Sequence, residues 1–172
     1  ENSGDIQEAI KIRLKIREFY SLKRDNSLNS PFRFSTIALG DAYLKAKEYE
    51  KALVQFDIAR EIIYDDNSSY YDFFNIPLFT SIAECYIKLN KPYRAIPILR
   101  DSLFIVEKNS KGTDNDHYYI FNINQKIAHS FGEYSEYEIA AREYLNNLKF
   151  YKEKKLNNDF KLLINLGEAV KF

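Results

Sequence analysis

Methionine and tryptophan are absent from this 172-residue chain, and cysteine occurs once, at Cys85. A single cysteine excludes an internal disulfide framework and leaves the redox compartment open. Its expected place is inside a helix, packed as a small hydrophobe. Lacking even an initiator methionine, the chain that starts at Glu1 reads as a piece of a longer protein, so targeting signals and compartment stay open. Five glycines, none in a phosphate-cradling pattern, give no nucleotide motif. Neither charge is in excess, with 25 Lys plus Arg against 25 Asp plus Glu, so no basic stripe invites nucleic acid. No apolar run approaches the ~20 residues that span a bilayer, the nearest being short stretches such as 73–79. What remains, 45% hydrophobic and 29% charged, is enough for one ordered domain.

What the chain does have is a repeat. An aromatic is followed nine residues later by an alanine at Tyr43 and Ala52, Tyr86 and Ala95, and Phe131 and Ala140. The alanines lie 43 and 45 residues apart, and the shorter step back from Ala52 reaches Ala9. A period of about 20–50 residues signals units that each bury their apolar face only against a neighbour.

Apolar residues within the repeat recur at three- and four-residue steps, which predicts helices. Ile37, Ala38, Ala42 and Leu44 surround Leu39, Gly40 and Tyr43 in a helix over 34–44, with Ser30 or Ser35 as its cap and Pro31 in its first turn. A second helix begins at Lys47 to Tyr49, carries Ala52, Phe56, Ala59 and Ile63 on one stripe, and ends in the turn-forming residues 65–69. The next pair places Ile82, Ala83 and Tyr86 before the turn Leu89-Asn90-Lys91-Pro92 and Ala95, Leu99 and Leu103 after it. Pro97, deeper in that helix, predicts a bend. A loop over 108–116 leads to a third pair, with Ile127, Ala128 and Phe131 and then Ala140, Tyr144 and Leu148. Leu163, Leu166, Gly167 and Val170 look like one further helix.

These residues resemble the tetratricopeptide repeat, whose first helix carries a large apolar residue, a small one directly after it and an aromatic three further on. Leu39-Gly40 with Tyr43, Ile82-Ala83 with Tyr86, and Ile127-Ala128 with Phe131 match that pattern. In the second helix, Ala52, Phe56 and Ala59 match the family's small, large and small residues, as do Ala95, Leu99 and Ser102. Ala140, Tyr144 and Asn147 match with a polar last member. The chain departs from the family in its period, longer than the usual 34 or so residues, a style associated with helical regions of bacterial regulators and two-component sensors. It departs also in the family's aromatic near the start of the first helix, which is Thr36, Phe79 and Asn124 here.

The resemblance implies an all-α, right-handed solenoid of antiparallel helix pairs. Residues 1–29 would be the second helix of a preceding repeat plus linker, 30–69, 70–112 and 113–156 three repeats, and 157–172 the first helix of a further repeat or a cap. First helices line the family's concave face. The residues expected there are Ile37, Asp41, Leu44 and Lys45, then Thr80, Glu84, Ile87 and Lys88, then Gln125, His129 and Glu133. Asp41 and Glu84, on helices packed about 10 Å apart, would form an acidic row for a basic or amide-rich peptide. The plainer alternative makes Asp41 with Lys45 and Glu84 with Lys88 solvated i,i+4 pairs.

Two aromatic clusters, 70–74 and 118–121, offer binding anchors at one rim or extend the core where first helices begin early. The Asp114-Asn115-Asp116-His117 stretch is either a weak metal cluster or a helix cap. Cys85 and His129 lie in different repeats with no orienting acid at a recognisable spacing. The sequence therefore points away from catalysis and from any cofactor. It points to a protein- or peptide-binding scaffold in the sensory or interaction region of a larger bacterial regulator. The alternatives are a self-association module pairing through exposed half repeats, and an accessory domain of an enzyme whose catalytic part lies elsewhere.

Overall fold

The computed structural model describes residues 3–22, 29–65 and 75–156. They form helices joined by short turns, with no strand among the described residues. The chain divides into two compact units, residues 1–70 and 71–172. The aromatic cluster at 70–74, the turn residues 66–69 and the further helix around 163–170 lie outside the described residues.

The first unit contains α1 (Ser3–Leu22), α2 (Asn29–Lys45) and α3 (Tyr49–Asp65), with α2 packed between the other two. The second contains α4 (Ile76–Lys88), α5 (Pro92–Asn109), α6 (Asp114–Glu133) and α7 (Tyr137–Glu153). In it each helix packs on the next, and α4 also reaches α6.

Within each pair the connection is three residues long, joining α2 to α3, α4 to α5 and α6 to α7. Links this short leave only antiparallel neighbours. All three turns have the same construction. Lys47, Asn90 and Ser135 take left-handed φ values of 62°, 57° and 65°. The next residue's amide then reaches back to the carbonyl of the repeat's aromatic: Glu48 to Tyr43 at 2.9 Å, Lys91 to Tyr86 at 2.8 Å and Glu136 to Phe131 at 2.9 Å. This closes the helix end and satisfies carbonyls that would otherwise face nothing. The nine-residue step from aromatic to alanine is therefore a turn geometry as well as a packing pattern.

The alanines and their stripe form the core. Ala52, Phe56, Ala59 and Ile63 on α3, Ala95, Leu99 and Ser102 on α5, and Ala140, Tyr144 and Asn147 on α7 are all buried. Facing them, Leu39, Ile82, Ala83, Ile127 and Ala128 are buried on the first helices, while Leu103 is half-buried. The polar member Asn147 donates from Nδ2 to the Phe121 carbonyl at 3.0 Å, tying α7 to α6. Ser102 is satisfied within its own helix by the Ile98 carbonyl at 3.1 Å. Cys85 is wholly buried on α4, as a small hydrophobe is.

Several local expectations change. Helix α2 starts at Asn29, and Ser35 bonds back to the Phe32 carbonyl at 2.8 Å inside the helix instead of capping it. Helix α5 runs from Pro92 to Asn109 with Pro97 in its interior, where the sequence placed it. Pro97 is exposed, so the carbonyl that loses its amide partner can be hydrated. The expected loop over 108–116 shrinks to residues 110–113, because α6 begins at Asp114. Its start is a capping box: Thr113 Oγ1 accepts from the Asp116 amide, and the Asp116 carboxylate accepts from the Thr113 amide.

Candidate functional site

Helix α6 passes beside the start of α4 over residues 119–126 and forms a groove with it. The groove encloses a volume of about 480 Å³. Ile76, Pro77 and Thr80 line it from α4, and Tyr119, Asn122, Ile123, Gln125 and Lys126 from α6. Apolar surface is thus interleaved with a hydroxyl, a phenol, two amides and an ammonium, the groups that fix the orientation of an extended chain. The Thr80 hydroxyl donates to the Pro77 carbonyl at 3.0 Å, which directs its lone pairs outward.

Lys126 Nζ lies 3.8 Å from the Glu84 carboxylate. Both side chains are partly exposed, so the pair adds little stability. It matters instead for charge, because the ion pair of Glu84 runs across to α6 and not along α4 to Lys88. Glu84 thus brings an ion pair to the groove end. On the same helix, His129 Nε2 lies 3.9 Å from the Glu133 carboxylate.

Of the eleven residues expected on a concave face, Thr80 and Gln125 line this groove, and Glu84 adjoins it through Lys126. Ile87, Lys88, His129 and Glu133 lie on α4 and α6 outside its lining. Ile37, Asp41, Leu44 and Lys45 belong to α2 in the first unit. There Asp41 and Lys45 help line a smaller cavity of about 130 Å³, closed by Asp5, Ile6 and Arg13 of α1. Arg13 Nη1 donates to the Ala38 carbonyl at 2.9 Å, holding α1 against α2. Tyr119 belongs to the 118–121 cluster offered as a rim anchor, and the lining residues that sequence reasoning missed are Ile76, Pro77, Asn122, Ile123 and Lys126. The signal for those on α6 was Thr113-x-x-Asp116, a capping pattern that places residue 119 on a helix.

The other candidates resolve into structural roles. Asp116 accepts from the Thr113 amide at 3.0 Å, the Lys111 amide at 2.9 Å and Ser110 Oγ at 3.2 Å. The Thr113 amide bond, aided by Lys111 and the two hydroxyls, holds its carboxyl below its ordinary value against the opposing effect of burial. It acts as a cap, and no group of three or more metal-ligating side chains occurs among the described residues. In the 118–121 cluster, Phe121 is buried against Tyr151 with ring centroids 5.1 Å apart, and Tyr118 packs on the same cluster. For these residues, core extension is the role observed.

No family model matches the sequence, and no curated protein matches it. Solved structures do match. A Podosopora anserina protein named for kinesin light chain, with nearly identical TPR-like repeats, superposes with a TM-score of 0.80 at 13% identity, covering 98% of this chain and 77% of that one. BtubC (BKLC) from P. vanneervenii superposes with a TM-score of 0.69 at 16% identity, covering 96% of this chain and 66% of that one. At such identities the likeness is one of fold. With its helix pairs, its repeated turns and these neighbours, the chain has the all-α fold of the tetratricopeptide-like repeats.

Proposed function

We propose that this chain is a non-catalytic scaffold that binds a protein or peptide in extended form along the groove between α4 and α6. The observation that carries the reading is the groove's lining, in which Thr80, Tyr119, Asn122 and Gln125 alternate with Ile76, Pro77 and Ile123. Amide and hydroxyl groups pair with a peptide backbone, and the apolar surface takes its side chains. The Glu84–Lys126 pair makes the groove end nearly neutral, which favours a polar, amide-rich ligand over a strongly cationic one. The setting proposed is the sensory or interaction region of a larger bacterial signalling or transcription-regulatory protein, supported by the long repeat period. The test is a peptide array probed with the chain and with Asn122→Ala and Gln125→Ala. Selected peptides should bind each variant about tenfold more weakly, the cost of one hydrogen bond to a buried partner, with thermal melts unchanged. Equal binding by all three proteins would remove the groove from the function.

One observation favours self-association as a second reading. Ile12, Ile16 and Phe19 form a stripe on α1 and are 50%, 45% and 52% exposed. One and two repeat steps on from Ile16 and Phe19, Ala59 with Ile62 and Ser102 with Ile105 are buried. A second copy covering the stripe would bury its counterparts in the same manner. Sedimentation of the parent and of Ile16→Glu decides it, with a dimer lost in the variant expected and a concentration-independent monomer in both ruling it out.

A further inference from the structure

Away from the groove, the three-residue turns of the second unit carry an exposed aromatic cluster. Tyr93, Tyr134 and Tyr137 are 48%, 52% and 50% exposed. The rings of Tyr93, in the first turn of α5, and Tyr134, just after α6, lie with centroids 5.8 Å apart. The Arg94 guanidinium sits 5.9 Å from the ring centroids of both Tyr86 and Tyr93. Those two tyrosines raise its pKa, and none of the described carboxylates is among the groups that do so.

The backbone under this cluster is fixed. The Tyr134 amide bonds to the Ser130 carbonyl at 3.1 Å, the Arg94 amide to the Lys91 carbonyl at 3.0 Å, and Asn90 and Ser135 hold the left-handed turn positions. Tyrosine and arginine on rigid backbone are the side chains that dominate protein interfaces, because they bring large contact area at low entropic cost. A guanidinium steadied by two rings is a prepared fork for a carboxylate. Lys91 adds a second exposed cation on that turn, whereas Glu133, Glu136 and Glu138 flank Tyr134 and Tyr137 in sequence on the other. The charge pattern orients a ligand, acid toward Lys91 and Arg94 and away from the glutamates beside Tyr134 and Tyr137.

We propose that Tyr93, Arg94 and Tyr134 form a docking surface for an acidic segment of a partner protein. Arg94 takes a carboxylate in bidentate fashion, and an adjoining apolar side chain lies across Tyr93 and Tyr134. This surface is independent of the groove between α4 and α6.

Two fluorescent peptides test it, one of alternating glutamate and leucine and its glutamine counterpart, titrated into the ¹⁵N-labelled chain. The glutamate peptide should bind about tenfold more tightly, the worth of a charge-assisted bond. Amide shifts should concentrate at residues 91–94 and 134–137. Arg94→Gln should abolish the preference, Arg94→Lys should restore part of it, and Tyr134→Ala should weaken both peptides alike. Equal affinity for the two peptides, or a preference unchanged in a folded Arg94→Gln, would overturn the proposal. Shifts confined to 76–80 and 119–126 would also overturn it, while supporting the groove as the binding site.

Discussion

Gly40 on α2 lies directly against the ring of Phe56 on α3: a Cβ at position 40 would stand 2.6 Å from Cδ1 and 2.9 Å from Cζ, and nearer still to Cε1. The small residue of the repeat pattern is thus a matter of space, since both residues are buried.

Gly40→Ala should therefore destabilise the first unit by about 1–3 kcal/mol, although alanine is the better helix former. Placing it in a Phe56→Leu background should recover part of the loss, since the two sites share one contact. Thermal melts of the four proteins measure the coupling, and strict additivity would show that the ring does not confine position 40.

Ala52 is the equivalent tight position on the second helix, wholly buried at the start of the α3 stripe. Ala52→Leu should overpack it at about 1–3 kcal/mol. An unchanged denaturant midpoint would mean that the assigned repeat phase is wrong.

The left-handed turn residues give a prediction of the opposite sign. Lys47 and Ser135 hold φ near 62° and 65° with side chains that disfavour that region. Lys47→Gly and Ser135→Gly should each stabilise the chain by about 0.5–1 kcal/mol, because glycine takes the conformation without steric cost. Asn90→Ala should do the reverse, as asparagine already tolerates it. Chemical denaturation checks all three.

The capping box titrates. Hydrogen bonds depress the folded-state pKa of Asp116, so its contribution to stability is fully present above the ordinary carboxylate value of about 4. It is lost as pH falls through the lowered folded value. The difference in melting temperature between the parent and Asp116→Asn should be constant near neutral pH and shrink on acidification below about 4. Thr113→Ala, which removes the reciprocal bond, should cost about 1 kcal/mol, with a smaller pH dependence. Parallel melting curves for the parent and Asp116→Asn across the acidic range would contradict the assignment.

Much of the fold was legible because the repeat couples two short-range facts, a packing seam and a turn, at one fixed spacing. Tyr43 with Ala52 and Tyr86 with Ala95 announce both. The groove was less legible because its lining comes from the start of α4 and the stretch 119–126 of α6, ahead of the repeat's matched residues. Tyr119 was read only as part of an aromatic cluster and Asn122 not at all, although Thr113 and Asp116 spell out the helix start that places both on α6. The Glu84–Lys126 pair was invisible for another reason: it joins two helices, and sequence spacing speaks only for partners on one.

The identical turns also determine where this chain tolerates a change of length. All three keep the nine-residue step from aromatic to alanine, so the two-residue difference between the 43- and 45-residue repeats falls wholly between Ala95 and Phe131. First helices end in step, at Lys45, Lys88 and Glu133, yet they begin out of step and run 17, 13 and 20 residues. One residue inserted into 46–48 would break the left-handed turn at Lys47 and the Glu48-to-Tyr43 hydrogen bond that set where α3 begins. The same insertion before Asp114 would only lengthen a loop. Inserted tags, epitopes or whole domains therefore belong ahead of first helices, and the turn end of each pair is where the chain admits none.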